Sequence, residues 1–407
     1  MPRGTTGAPG DPMLPRLRAW WLWRQGLTSV GAPRTLAACL RQSGWLPTAG
    51  SACAYLSIRA RLRGASREAI DRAVIDAKSI AEAPGGHARA AVLVARDELA
   101  VAIRLAQASH AKHQAAQARS GAIDPLAIRS LARVIQHVLD EGPKSSAAIR
   151  SAVSASHPRS LELFSPALVS LTLDGMIRRF SIDGRIDSPK YMYESIHPDD
   201  RPDLEAEGDL ADVMAKLATL FLRRHGPATV EDFVWWAGCT KGEGRAALKT
   251  IGAQPIAIEG WSAAAWLLEE DVHAWQSFQA PAASNVVLLP FRDPFIYARR
   301  PPAVLAADPE APVLDWKARA ANIGDIESLH HHAIIAGGTV VGVWEYDPDA
   351  EAIVTRLWSK ERALASNVAS AADDTGRFIR DQVGDLAFYA ADTAASRAPR
   401  LAFCRAR

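Results

Sequence analysis

The chain has few cysteines: Cys39, Cys53, Cys239 and Cys404 are scattered, with no Cys-x-x-Cys spacing. That excludes a disulfide framework and a zinc knuckle and leaves buried, reduced thiols. Apolar runs approaching the ~20 residues of a membrane-spanning helix are missing too. The opening MPRGTTGAPGDPMLPRLRAWWLWRQ has Gly and Pro where a secretory apolar stretch would stand, so residues 1–12 are expected to be disordered and the protein cytoplasmic, without a membrane partner. Acids are scarce at the start. Residues 1–119 hold 17 Lys or Arg against 7 Asp or Glu, a surplus of 10 in a chain of net charge +2, so the remainder is acidic. A basic N-terminal third suits an anionic partner, nucleic acid first and a membrane surface second. Because 38 of the 47 basic residues are Arg in an Ala-rich chain, genomic base bias is the alternative source of that surplus. Apolar material is plentiful: 48% of the 407 residues are hydrophobic and 12 are Trp, enough for several cores, which excludes disorder throughout.

The middle of the chain is punctuated as a helical domain. LARVIQHVLDEGPKS sets Leu131, Val134, Ile135, Val138 and Leu139 on one helical face and closes at Gly142-Pro143. A short helix follows in SSAAIRSAV. Ser165 and Pro166 then read as N-cap and first helical residue of another, with Gly175 as its left-handed C-cap. MIRRFSIDGRIDSPKYMY reads as two β runs joined at Asp183-Gly184. Three helices and a hairpin make the winged helix-turn-helix pattern, with Arg178, Arg179, Arg185 and Lys190 on the wing.

That pattern recurs after residue 205. Leu210, Val213, Met214, Leu217, Leu220 and Phe221 share one side of a helix closed by Gly226-Pro227. Thr229 and Asp232 form a partial capping box for the helix of Phe233, Trp235 and Trp236, which Gly238 ends. KGEGRAALKTI fills the recognition-helix slot, with Lys241, Arg245 and Lys249 four residues apart on one face, and QPIAIEG with AAAWLLEE supplies a second wing. PRTLAACLRQSG, ACAYLSIRARL and SREAIDRAVIDAKSI give the N-terminal block the same helical grain, and ASHAKHQAAQARSG reads as a connector. Beyond residue 280 the text turns to strands, NVVLLPFRDPFIY and HAIIAGGTVVGVWEYDPDAEAIVTRLW, before a last helical stretch. The expected fold class is α+β: tandem winged helix-turn-helix domains, three in number, with a C-terminal β-rich domain. Their bounds are 13–118 (a degenerate copy), 119–200, 205–280 and 281–407.

Leu288, Leu289, Pro290, Asp293 and Pro294 in LLPFRDPFIYARR match a Leu-Leu-Pro-x-x-Asp-Pro signature, and Gly338, Val340, Val341, Gly342 and Trp344 match Gly-x-Val-Val-Gly-x-Trp. With these motifs the chain resembles the winged-helix DNA glycosylases of the AlkZ type; RRHGPATVEDFVWWAG is similar to the family's third winged helix and YLSIRARL to its first. The resemblance implies three winged helices and a small β-rich domain arranged as a C around duplex DNA, with no cofactor. The implied chemistry is hydrolysis of the N-glycosidic bond of a cationic, bulky alkylated or crosslinked base. The leaving group then needs little help, and the enzyme must hold and aim a water. In the family a Gln-x-Gln or Gln-x-Asp pair does this.

The slot for that pair falls at Leu46, Pro47, Thr48 and Ala49 in GWLPTAG, which contains no amide side chain; Gln42 lies before the turn. The family's Arg-Gly-Thr-x-His stretch is likewise unmatched in GGHARAAVLVARDEL. Two readings follow from the resemblance: a diverged glycosylase whose water is held by Thr48 with Ser51 or His87, or a non-catalytic binder of lesions or plain duplex, serving as regulator or resistance factor. A third, from the residues alone, is that winged helices dock a protein. The expected DNA contacts are Lys241, Arg245, Lys249, Arg179, Arg185, Arg292, Arg299 and Arg300, and a monomer is expected. The triplet His330, His331 and His332 lacks a second ligand cluster, so a groove phosphate on His331 or His332 is preferred to a metal. Asp293 reads as a turn residue before Pro294 rather than a catalytic carboxylate. Trp20, Trp21 and Trp23 read as core rather than as base-pair wedges.

Overall fold

A computed structural model describes residues 13–48, 51–85, 91–118, 124–156, 162–259, 261–280, 286–388 and 391–406. Residues 1–12, expected to be disordered, lie outside the described residues.

The chain opens with α1 (Met13–Arg24) and α2 (Leu36–Ser43), the latter started by Thr35, whose hydroxyl accepts the Ala38 N–H. β1 (Leu46–Pro47), α3 (Cys53–Arg61), α4 (Arg67–Asp76), β2 (Ile80–Ala83), β3 (Val92–Ala95) and α5 (Leu99–Ala118) follow. The stretch expected as a connector is largely the second half of α5. Ala, Gln and Lys are strong helix formers, and no Gly or Pro interrupts them there.

Next come α6 (Pro125–Asp140), capped by Asp124, then β4 (Lys144–Ser145), α7 (Ser146–Ser156), α8 (Phe164–Leu173), β5 (Ile177–Ser181) and β6 (Tyr191–Ser195). α8 starts at Phe164, ahead of the expected Ser165-Pro166 cap, and its N-cap Leu163 makes no side-chain cap bond. β5 and β6 pair from Ile177↔Ser195 to Ser181↔Tyr191, so the loop 182–190 joins them rather than a two-residue turn at Asp183-Gly184.

A third series runs α9 (Leu210–His225), α10 (Val230–Ala237), α11 (Lys241–Thr250), β7 (Gln254–Ile256) and β8 (Ala265–Leu267). Thr229 with Asp232 and Thr240 with Glu243 form complete capping boxes for α10 and α11, and Gly238, at φ 65°, ends α10 in the left-handed region. α12 (Glu269–Ser277), β9 (Val286–Leu289), α13 (Pro294–Tyr297), β10 (Pro312–Leu314), β11 (Ala320–Asn322), β12 (His332–Ala336), β13 (Thr339–Asp347), β14 (Ala352–Leu357), α14 (Arg362–Phe378) and α15 (Ala394–Arg405) complete the chain.

The architecture is α+β. Two of the sheets have the orders β1-β3-β2 and β4-β6-β5, so in both the last strand lies between the first two. β7 pairs with β8, and Ala228 bridges to Trp266 on the free side of β8, which repeats that order. A four-stranded antiparallel sheet, β14-β13-β12-β9, and a β10-β11 hairpin make up the rest.

The chain forms two compact units. One is drawn from residues up to Leu46, Ser51–Ile70 and Ala215 onward; the other from Pro47–Gly50 and Asp71–Met214. In the first, the core gathers Leu17, Trp20 and Trp21 of α1 with Leu289, Phe295, Val313, Ile335 and Val343. Trp20 and Trp21 are wholly buried, and their indole N–H groups donate to the carbonyls of Gly226 (2.8 Å) and Pro227 (3.0 Å). These side chains are core, as their spacing suggested. Two motif glycines have steric reasons. A Cβ on Gly338, at φ 87°, would lie 2.3 Å from the Arg18 carbonyl oxygen, and one on Gly342 2.3 Å from that of Arg356. Trp344 is buried, its ring stacked on His332 at 4.3 Å and its N–H donating to the Ala333 carbonyl. In the second unit, Leu131, Ile135 and Leu139 of α6 pack with Ile149, Val153, Leu168 and Leu171.

Candidate functional site

The second unit holds a polar cluster that begins with Thr48. Its N–H donates to the Ala91 carbonyl (2.9 Å), which continues the β1 edge, and its hydroxyl donates to Glu82 Oε1 at 2.8 Å. Glu82 projects from β2, whose backbone is fixed against β3 through Ile80↔Ala95 and Glu82↔Leu93. Arg179, in the middle of β5, closes on the same carboxylate, with Nε 2.8 Å from Oε2 and Nη2 3.2 Å from Oε1. The Tyr191 ring lies 4.0 Å beneath the Arg179 guanidinium. Burial works against the Arg179 charge, but Glu82 more than offsets it, and the guanidinium is held above its ordinary pKa. Glu82 and Arg179 both line a recess of about 20 Å³, the space of a water molecule.

Of the two expected water-holding residues that are described, Thr48 and Ser51, Thr48 is in this cluster. Ser51 donates its hydroxyl to the Ala387 carbonyl at 2.7 Å, so that hydroxyl proton is already committed. His87 and Ala49 lie outside the described residues, and Pro47 closes β1. Glu82 and Tyr191 are additions that the sequence reading missed. The one available signal was a lone acid inside the short apolar run IAEAP.

The expected DNA contacts separate into groups. Lys241, Arg245 and Lys249 are exposed along α11; Lys241 also reaches Glu231 at 2.8 Å. Arg179 is committed to Glu82, and Arg185 pairs with Asp187 at 2.6 Å. Arg292, half-buried and at φ 61°, lies over Phe291 (5.3 Å) and Tyr297 (5.8 Å). Arg300 stacks over Trp235 at 3.2 Å and approaches Glu327 at 3.6 Å. Arg299 corrects the expectation of a phosphate contact: it is 2% exposed, lies 3.7 Å over Trp21 and donates to the His225 carbonyl. Burial lowers its pKa to about 10 despite Asp232. A further exposed feature is Trp316, 70% accessible, in the β10-β11 turn beside Lys317 and Arg319.

His331 and His332 correct a second expectation. Both are buried: His331 Nε2 accepts the Leu314 N–H (3.0 Å) and His332 Nδ1 accepts the Phe291 N–H (2.8 Å), so neither faces a phosphate. Among the described residues, no group of three His, Cys, Asp or Glu side chains is placed to hold a metal. Asp293 is wholly buried. It accepts two bonds from Arg61, Nη1 at 2.7 Å and Nη2 at 2.8 Å, and caps α13 by accepting the Phe295 N–H at 3.0 Å. Arg61 also donates to Gln25 Oε1, and the Gln25 amide donates to His225 Nδ1 at 2.8 Å. Burial, then Arg299, Arg224 and Arg61, hold the His225 pKa far below its usual value, so that ring is neutral and able to accept. Leu289 ends β9, Pro290 leads into the turn and Pro294 is buried in α13. These motif residues therefore build a fold-stabilising joint.

A chain with this α+β architecture is similar to the solved structure of the Streptomyces sahachiroi DNA glycosylase AlkZ, at 17% identity and a TM-score of 0.69 over 91% of this chain and 97% of that one. The sequence model of the DNA glycosylase AlkZ-like family matches residues 36–378, and the chain belongs to that family. No curated protein matches it. No helix among the described residues is long and apolar enough to cross a membrane.

Proposed function

We propose that this protein is a monomeric winged-helix DNA glycosylase that binds duplex DNA and excises bulky alkylated or crosslinked bases by hydrolysis of the N-glycosidic bond. The observation that carries the reading is the span of the family match, 36–378, which takes in the helices and strands from α2 to α14. Three repeats of one strand order, each preceded by helices, support their reading as winged helices. α11, with three exposed cations on one face, takes the recognition-helix role in the last of them. The exposed Trp316 with Lys317 is suited to stacking on bases while neutralising a phosphate; Arg319 beside them is paired with Asp315.

The chemistry asks little of the leaving group. A base alkylated at a ring nitrogen already carries positive charge, so the protein must bind the duplex, expose C1′ and supply a water. The test is release of an N7-alkylguanine from a duplex oligonucleotide, read as abasic sites. Release above the spontaneous rate supports the proposal, and none overturns it. The second reading, a lesion or duplex binder without hydrolysis, is favoured by the absence of any amide side chain in GWLPTAG; it predicts tighter binding to alkylated than to plain duplex, with no abasic product.

A further inference from the structure

We propose that Glu82 is the catalytic carboxylate of this protein, facing the cationic sugar centre and taking the proton of the attacking water, with Thr48 and Arg179 as its positioning residues. The inference deepens the glycosylase reading and rests on it.

A carboxylate offers about four acceptor sites. On Glu82 three are filled, by the Thr48 hydroxyl at 2.8 Å, Arg179 Nε at 2.8 Å and Arg179 Nη2 at 3.2 Å. Among the described residues nothing fills the fourth, and Glu82 lines a recess of about 20 Å³, space enough for one water. The Glu82 side chain is 11% exposed and Arg179 is stacked on Tyr191, so the carboxylate cannot swing away to solvent without breaking its bonds to Thr48 and Arg179. This is a pre-oriented acceptor: anionic, fixed by a hydroxyl and a fork of N–H groups, and adjoining a water-sized space. A second carboxylate on the recess, Asp71, is turned to the Ile186 N–H at 3.1 Å.

In the reaction, the water oxygen bonds to C1′ as the N-glycosidic bond breaks. The bonding pair leaves with the base and neutralises its ring cation, while the water proton passes to Glu82. Negative charge beside C1′ also favours the oxocarbenium character that develops there.

Two measurements test the assignment. The first is single-turnover release of N7-alkylguanine by the wild type, Glu82→Gln and Glu82→Asp. The second is equilibrium binding to duplexes carrying either a pyrrolidine azasugar, a stable cation at the C1′ position, or neutral tetrahydrofuran. Glu82→Gln is expected to slow release at least about 100-fold and keep plain-duplex affinity within about twofold. The wild type should prefer the azasugar duplex at least about tenfold, and Glu82→Gln should abolish that preference. Thr48→Val should slow release and Thr48→Ser restore it, without change in plain-duplex affinity. If Glu82→Gln does not fold, Glu82→Asp, which keeps the charge but retracts it, should retain part of the azasugar preference and lose most of the rate. Absence of azasugar preference in the wild type, its survival in Glu82→Gln, or release by Glu82→Gln within about threefold of wild type overturns the Glu82 assignment. No release by the wild type overturns the glycosylase reading itself.

Discussion

Replacing Asp293 by Ala tests whether the family's Asp-Pro turn is a structural joint or a catalytic acid. In the structure both carboxylate oxygens are occupied, by two bonds from Arg61 and by the Phe295 N–H, and neither Arg61 nor Asp293 has any exposed side chain. Removing one member of such a pair leaves a guanidinium in the core without its counter-charge, at a cost of about 3–5 kcal/mol. The lost helix cap adds to that. In a body of roughly 250 residues, each kcal/mol moves the midpoint by about 2–4 °C, so the unit holding Asp293 should melt roughly 6–20 °C lower. Differential scanning calorimetry reads this directly. Asp293→Asn keeps an acceptor for Phe295 but drops the charge, and should fall between. An apolar pair, Arg61→Met with Asp293→Leu, should recover much of the loss, because two buried charges leave together. Melting of Asp293→Ala within about 2 °C of the wild type refutes the argument. So does an Asp293→Asn variant that melts normally but releases no base, which would make Asp293 catalytic after all.

Reversing Lys241, Arg245 and Lys249 to Glu should weaken duplex binding at least tenfold at low salt and flatten the log–log salt dependence by about two to three, as fewer counterions are released; fluorescence anisotropy with an unchanged slope would remove α11 from the interface. His225 and His331 have folded pKa values below the free value, the latter lowered by burial to about 3. A depressed histidine stays neutral in the folded state while the unfolded chain takes up a proton. Stability is therefore whole above pH 6.5 and falls by about 1.4 kcal/mol per group per unit below it, down to each folded pKa. Urea midpoints equal at pH 7.5 and 5.5 would contradict this. Gly338→Ala places a Cβ 2.3 Å from the Arg18 carbonyl oxygen at φ 87° and should cost well over 1 kcal/mol in thermal melts; a neutral result would show that the turn can rebuild.

Much of the local structure was legible because its causes are local. The Thr229–Asp232 box, the Gly238 cap and the apolar face of Leu131, Ile135 and Leu139 each involve residues within one or two turns of one another, where periodicity and capping chemistry act directly. Misreadings arose where propensity and tertiary packing competed. The Ala-rich run after residue 107 carried no loop signal beyond its polarity and continued α5. Asp183-Gly184 had the chemistry of a tight hairpin, yet the pairing of Ser181 with Tyr191 placed it inside a longer loop. Arg299, His331 and His332 look like surface ligands in a linear text. Only packing against Trp21, Phe403 and Trp344 shows that they face inward.

The sequence alone determined the α+β class and the cation stripe on α11, because helix and strand periods and turn residues act over a few positions. It also determined that GWLPTAG lacks an amide side chain. Only the tertiary structure decided which charges were exposed and which were spent: Thr48 and Arg179 are 34 and 97 residues from Glu82 along the chain, and their meeting on its carboxylate is written in strand pairing rather than in any local motif. Desolvation and hydrogen bonding depend on three-dimensional neighbours, so the same residue type is an exposed cation at Arg245 on α11 and a core fastener at Arg61.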